Sequence, residues 1–144
     1  MEMKDEFYSI LKSTGQSITK PRLAVFNTLY AADTPLKNGE IARRTTSVDR
    51  ASVYRTLELF AQLGITTTTI RGWTPFTELA EPFKPHHHHL TCSSCGAIEE
   101  IANDTLEDML ATIAMRHNFQ LTSHIVELTG ICTECRDSTP TTSL

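Results

Sequence analysis

The sequence predicts an α+β protein in two parts. Residues 1–80 read as an N-terminal winged helix-turn-helix, and residues 81–144 as a small α/β domain closed by a four-cysteine zinc clasp. Three observations predict it. Helical periodicities fill the front of the chain and run into a threonine-rich hairpin, two Cys-x-x-Cys pairs bracket a strand–helix–strand pattern, and charge changes sign between the halves. Residues 1–80 carry ten Lys/Arg against eight Asp/Glu, or +2, while residues 81–144 carry three against nine, or −6. A mildly basic front and an acidic, ligand-rich back suggest two jobs.

"DEFYSILKSTG" places Phe7, Ile10 and Leu11 at helical spacing before Gly15, and "TKPRLAVFNTLYAA" repeats the pattern with Leu23, Phe26, Leu29 and Tyr30. Thr19 is an N-cap candidate, with Pro21 in the first turn where its missing N–H costs nothing. "NGEIARRTT" is a shorter helix. "VDRASVYRTLELFAQLGI" then offers a stripe of Val53, Leu57, Phe60, Ala61 and Leu63, starting near Val48 or Asp49 and ended by Gly64. "ITTTTIRGWTPFTEL" is β-branched and broken at Arg71-Gly72, so it reads as a two-stranded hairpin.

The last helix gathers Arg50, Ser52, Tyr54 and Arg55 near its N-terminal end, away from the apolar stripe. Guanidinium groups and hydroxyls placed there suit phosphate oxygens and base edges in a major groove. A solvated helix face carries the same residue types. The hairpin that follows completes a winged helix-turn-helix and tips the reading toward DNA.

Cys92 and Cys95 form one knuckle and Cys132 and Cys135 another, each able to offer two thiolates to one tetrahedral ion. No basic-then-apolar leader and no long apolar run is present, so the expectation is a soluble, cytoplasmic protein with no membrane partner, in which thiolate ligands are favoured over paired disulfides. Between the pairs, "GAIEEI" is a strand candidate and "NDTLEDMLATIAMRHN" an amphipathic helix with Leu106, Met109, Leu110 and Ile113 facing inward. "FQLTSHIVELTGIC" alternates as a strand leading to the second knuckle.

If "HHHHLTC" is extended, His87 and His89 point to one face and His86 and His88 to the other, so one strand could feed two metal sites. Glu99 and Glu100 divide in the same manner, and His124 lies within the last strand. Imidazole with carboxylate suits Fe(II), Zn(II), Mn(II) or Co(II). His117, at a helix end, reads as an ordinary hydrogen-bonded histidine.

Taken together, "TKPRLAVFNTL", "RASVYRTLELFAQLGI", "FTEL", "HHHHLTCSSCGAIEEI", "RHNFQLTSHIVELTGIC" and the final "CTEC" resemble the ferric uptake regulator family of metal-dependent repressors, over about residues 8–136. The resemblance implies a C-terminal dimerisation domain and a homodimer that binds A/T-rich inverted repeats in double-stranded DNA when a sensory metal is loaded. By motif, it makes Cys92, Cys95, Cys132 and Cys135 structural Zn(II) ligands. Glu78, His87, His89 and Glu100 would form the regulatory site, and His86, His88, Glu107 and His124 an additional one. Tyr54 and Arg55 would be the DNA-contacting pair.

The sequence also departs from that pattern. No histidine occurs before His86, where many relatives place one ahead of the third helix; this chain reads "DTPLKNGEIA" there. Ser17 falls about where many relatives have a loop lysine, leaving Lys20 and Arg22 as backbone contacts, and His88 stands where some have aspartate. Peroxide-sensing relatives favour aspartate where this chain has Glu100, and zinc-sensing relatives often add a cysteine to the sensory site whereas all four cysteines here are committed to the clasp, so the resemblance implies iron over zinc by elimination. The expected function is thus an Fe(II)-type repressor of metal-uptake genes, with Zn(II) or Mn(II) as possible signals. The alternatives are a zinc-responsive repressor or a zinc-clasped metal-buffering dimer without gated DNA binding. No H-E-x-x-H or comparable catalytic pattern is present, so no enzyme is expected.

Overall fold

A computed structural model describes residues 2–138 and divides into two compact units, one running up to Pro85 and the other from His86 onward. Among the described residues no helix is long and apolar enough to cross a membrane.

The first unit begins with four helices: α1 (Glu2–Ser13), α2 (Lys20–Tyr30), α3 (Asn38–Arg44) and α4 (Arg50–Gln62). Thr19 caps α2 through its side-chain oxygen, with Pro21 in the first turn, and Asp49 caps α4 by accepting from the Ser52 amide at 3.0 Å. Each cap satisfies an amide that the helix itself leaves without a partner. The hairpin follows as β1 (Thr66–Arg71) and β2 (Thr74–Leu79), antiparallel from Thr66↔Leu79 to Arg71↔Thr74. Its connection is Gly72-Trp73, with Gly72 at φ 59°, the positive value that the first central position of a tight hairpin turn requires. A bridge between Leu36 and Thr77 ties the segment before α3 to β2.

Aromatic packing holds this unit together. Phe7 stacks on Phe26 with ring centroids 4.2 Å apart and meets Phe60 edge-on at 5.6 Å, while Phe83 meets Phe26 edge-on at 5.2 Å. Val53, Leu57 and Phe60 bury one face of α4 as the stripe requires, leaving Arg50, Tyr54 and Arg55 exposed on the other. Tyr30, expected in the stripe of α2, is instead 55% exposed, and Val25 is buried in that helix with Phe26 and Leu29. Ala61, likewise, is exposed at the end of α4.

The second unit holds β3 (His88–Cys92), β4 (Ile98–Ile101), α5 (Asp104–Arg116), β5 (Glu127–Gly130) and α6 (Thr133–Ser138). Its sheet has the order β4-β3-β5, with β3 antiparallel to β4 and parallel to β5. Asn103 caps α5 by accepting from the Leu106 amide at 3.1 Å. The expected inward face of α5 is corrected here. Leu106 and Leu110 are only half-buried, and Met109 and Ile113 are 53% and 49% exposed, because the small sheet leaves part of the helix stripe uncovered within the chain. The last strand is also shorter than its alternation suggested: only Glu127–Gly130 pairs, and the residues before it are irregular.

Every buried apolar residue of the described chain except Cys92 lies in the first unit. Phe60→Ala should therefore destabilise that unit by about 3–5 kcal/mol in urea unfolding. A loss below about 1 kcal/mol would mean that the aromatic cluster relaxes around the deletion.

Candidate metal centres and nucleic-acid helix

Strand β3 organises the donors of the second unit. The sulfurs of Cys92, Cys95, Cys132 and Cys135 all lie within 4.8 Å of one another, and none of the four is in a disulfide. Sulfurs at about 2.3 Å from a tetrahedral zinc stand about 3.8 Å apart, the separation found between Cys95 and Cys132. The Cys132 amide donates to Cys92 Sγ at 3.3 Å. That bond, with further backbone donors from Cys95 and Ser94, lowers the Cys92 thiol to about 6, so it is poised as a thiolate. Cys135 accepts a hydrogen bond from Ser94 that lowers it, yet the neighbouring Cys132 and Cys95 sulfurs and desolvation push it up to about 12. Four sulfurs crowded this closely cannot all ionise without a cation among them.

Alternation along the strand sorts the histidines. On one face, His86, His88, His124 and Glu107 bring one donor atom each to within 4.8 Å of the others. His86 Nε2 lies 3.0 Å from His124 Nε2, and the Glu107 carboxylate lies 2.5 Å from His88 Nε2 and 2.9 Å from His124 Nε2. The His88 hydrogen bond holds the Glu107 carboxyl below its ordinary value, desolvation opposes it, and positive charge on His124 and His86 reinforces it. His88 is 3% exposed. Three imidazoles and a carboxylate converging in this way match the donor set of a divalent first-row metal.

His87 and His89 occupy the other face. His89, 2% exposed, is in register with Glu100 on β4 and Glu127 on β5, and its Nδ1 lies 3.0 Å from Glu127 Oε1. His87 Nε2 stands 3.9 Å from Glu100 Oε1. Glu78 belongs to the first unit, near the end of β2, where it is buried and faces the Lys84 ammonium at 3.4 Å. Glu127 and Lys84 were not singled out from the sequence. "HIVEL" showed alternation, but only the parallel pairing of β5 with β3 puts Glu127 in the row of His89.

On α4, Arg50 Nη2 donates to the Tyr54 hydroxyl at 3.1 Å with its guanidinium 5.4 Å from the ring centre. Ser52 Oγ donates to Asp49 Oδ1 at 2.6 Å and accepts from Arg55 Nη2 at 3.1 Å, so the cap and Arg55 form one chain of contacts. Lys20 is exposed at the start of α2, and Arg22 donates to the Ser17 carbonyl at 2.5 Å. His117 ends α5 as its C-cap.

The ferric uptake regulator family model matches residues 13–129. The chain belongs to this family. It is 36% identical over 140 residues to the ferric uptake regulation protein of Campylobacter jejuni, covering 92% of this chain and 88% of that protein. The Helicobacter pylori ferric uptake regulator, whose structure is described as revealing three functional metal binding sites, matches with a TM-score of 0.79 at 26% identity, covering 95% of this chain and 93% of that one. The Vibrio cholerae regulator matches with a TM-score of 0.70 at 31% identity over 85% of this chain and 96% of that one. As a ferric uptake regulator family member, the chain is a metal-responsive, DNA-binding transcription regulator.

Asp49 caps the helix that carries Arg50 and Arg55. Its carboxyl is held below the ordinary value of 3.8 by the Ser52 hydroxyl and then the Ser52 amide. A carboxyl lowered by folding stabilises the folded form above its unfolded value and loses that contribution as pH falls through the depressed one. Asp49→Asn should lower the first unit's melting temperature at neutral pH and flatten its decline in acid; identical acid dependence in the two proteins would count against the cap.

Proposed function

We propose that the chain is a homodimeric repressor whose grip on DNA is gated by a divalent cation, with Fe(II) the favoured signal. The observation that carries this reading is the sorting of four consecutive histidines, along β3 and the two residues before it, into two sets of donors, beside a separate cluster of four cysteines. In this reading Cys92, Cys95, Cys132 and Cys135 hold structural Zn(II), for which four soft donors with tetrahedral spacing are suited. Glu78, His87, His89 and Glu100 hold the regulatory cation, and His86, His88, Glu107 and His124 an additional one. The three sites described for the Helicobacter relative support three here.

A bound cation supplies positive charge that draws together carboxylate and imidazole donors. Since Glu78 comes from the winged-helix unit and the histidines from the other, ligation by both restrains the units in one arrangement. It favours DNA binding to the extent that this arrangement is the one that binds DNA. Two copies are suggested by the exposed apolar side chains of the second unit, among them Met109, Ile113, Phe119 and Ile125. A two-fold pair presents two α4 helices to half-sites at fixed spacing, as an A/T-rich inverted repeat would provide. Arg50, Ser52, Tyr54 and Arg55 would then meet base edges and phosphates, with Lys20 and Arg22 on the backbone. A zinc-responsive regulator is the second reading, since imidazole and carboxylate donors suit Zn(II) as well as Fe(II).

The test is fluorescence anisotropy with the duplex upstream of the protein's own gene and other inverted repeats, at fixed salt, with chelated protein and with Fe(II), Mn(II) or Zn(II) added. Fe(II) should tighten binding at least about tenfold, a shift of about 1.4 kcal/mol, and His89→Ala should abolish the response. Arg55→Ala should weaken the metal-loaded complex by about 1–3 kcal/mol. Equal binding with and without every metal would contradict gating.

A further inference from the structure

His89 lies between two carboxylates, in register with Glu100 on one neighbouring strand and with Glu127 on the other. Side chains in register across adjacent strands share a face. Glu127 Oε1 reaches His89 Nδ1 at 3.0 Å; the ring is 2% exposed and the carboxylate half-buried. An ionised carboxylate can only accept, which makes His89 Nδ1 the donor. With its proton on Nδ1, a neutral imidazole keeps its lone pair on Nε2.

The contrast with His88 separates two kinds of carboxylate. His88 meets Glu107 through Nε2, at 2.5 Å, within a cluster where His86 and His124 also converge on that carboxylate. Glu107 therefore stands among donors that face one point. Glu127 instead holds Nδ1, and because the two ring nitrogens point apart it stands behind the ring from anything that binds Nε2.

We infer that Glu127 is a positioning residue for the regulatory metal: it fixes the ring and tautomer of His89 so that Nε2 is offered to the cation. The inference rests on the reading of His89 as a regulatory ligand. Parallel pairing of β3 with β5 is what makes the contact, since it sets Glu127 opposite His89. A carboxylate behind a ligating imidazole also raises its basicity, and loss of such a partner typically costs about 10–100-fold in metal affinity.

Two variants separate the contributions in the full-length, zinc-containing protein. Glu127→Gln keeps shape and an acceptor oxygen but removes the charge, whereas Glu127→Leu removes both. Affinity for Fe(II) or Mn(II) is read by competition with a fluorescent chelator, the zinc content is measured alongside, and the His89 tautomer is read from long-range ¹H–¹⁵N correlations of the chelator-treated protein. We expect Glu127→Gln to weaken regulatory-metal affinity by about tenfold and Glu127→Leu by more, with zinc content unchanged. His89 should be the Nδ1–H tautomer in the wild type and shift toward Nε2–H in Glu127→Leu. If His89→Ala abolishes that affinity while both Glu127 variants retain it, or if wild-type His89 is the Nε2–H tautomer, the positioning role is overturned and the ligand reading stands. If His89→Ala leaves the affinity unchanged, the ligand reading falls and this inference with it.

Discussion

The constraint on which the rest depends is the near absence of an apolar interior in the second unit. Among its described residues the buried ones are His88, His89 and Cys92, all on one strand and all with atoms of a kind that binds metals. A three-stranded sheet and a helix with no buried residue cannot offset the conformational entropy of ordering about fifty residues by hydrophobic burial alone. Ligation is the remaining source of cohesion within the chain, and it is directional where hydrophobic burial is not. On the proposed reading, the groups that would sense the cation are also groups that hold the unit together.

That economy follows from the pleat. Alternation along β3 and the residues just before it places His86 and His88 beside Glu107 and His124, while His87 and His89 turn to the other face with Glu100 and Glu127. The same strand ends in Cys92, whose sulfur belongs to the thiolate cluster. A one-residue slip of register would exchange the two histidine faces. The hydrogen-bond ladders to β4 and β5 therefore do chemical as well as structural service. The first unit is organised on the opposite principle: stacked and edge-on phenylalanines make a conventional core that presents a capped, basic helix to solvent.

Most of this was legible in the sequence, because its main signals are local. Periodicity gave the helices of the first unit, Arg71-Gly72 gave the hairpin, and paired cysteines gave the thiolate cluster. The face of each histidine needed only a period of two. What escaped was non-local. The stripe of α5 reads as core from spacing alone, but whether Met109 and Ile113 are covered depends on how much sheet lies opposite them. Glu127 was invisible as a partner of His89 since no pattern in "HIVEL" says which strand it will pair with, or in which direction. Lys84 lies six residues from Glu78 and meets it only because the chain returns past the end of β2.

Hydrogen exchange of the reduced protein, with all metal removed by a strong chelator and compared with zinc-loaded protein, tests most directly whether ligation stands in for a core. The account predicts that amides of β3, β4 and β5 lose protection on metal removal, while those of α1, α2 and α4 around the phenylalanine cluster keep theirs. Full protection of the β4-β3-β5 sheet without metal would contradict it, and would place the stability of this unit in contacts other than its ligands.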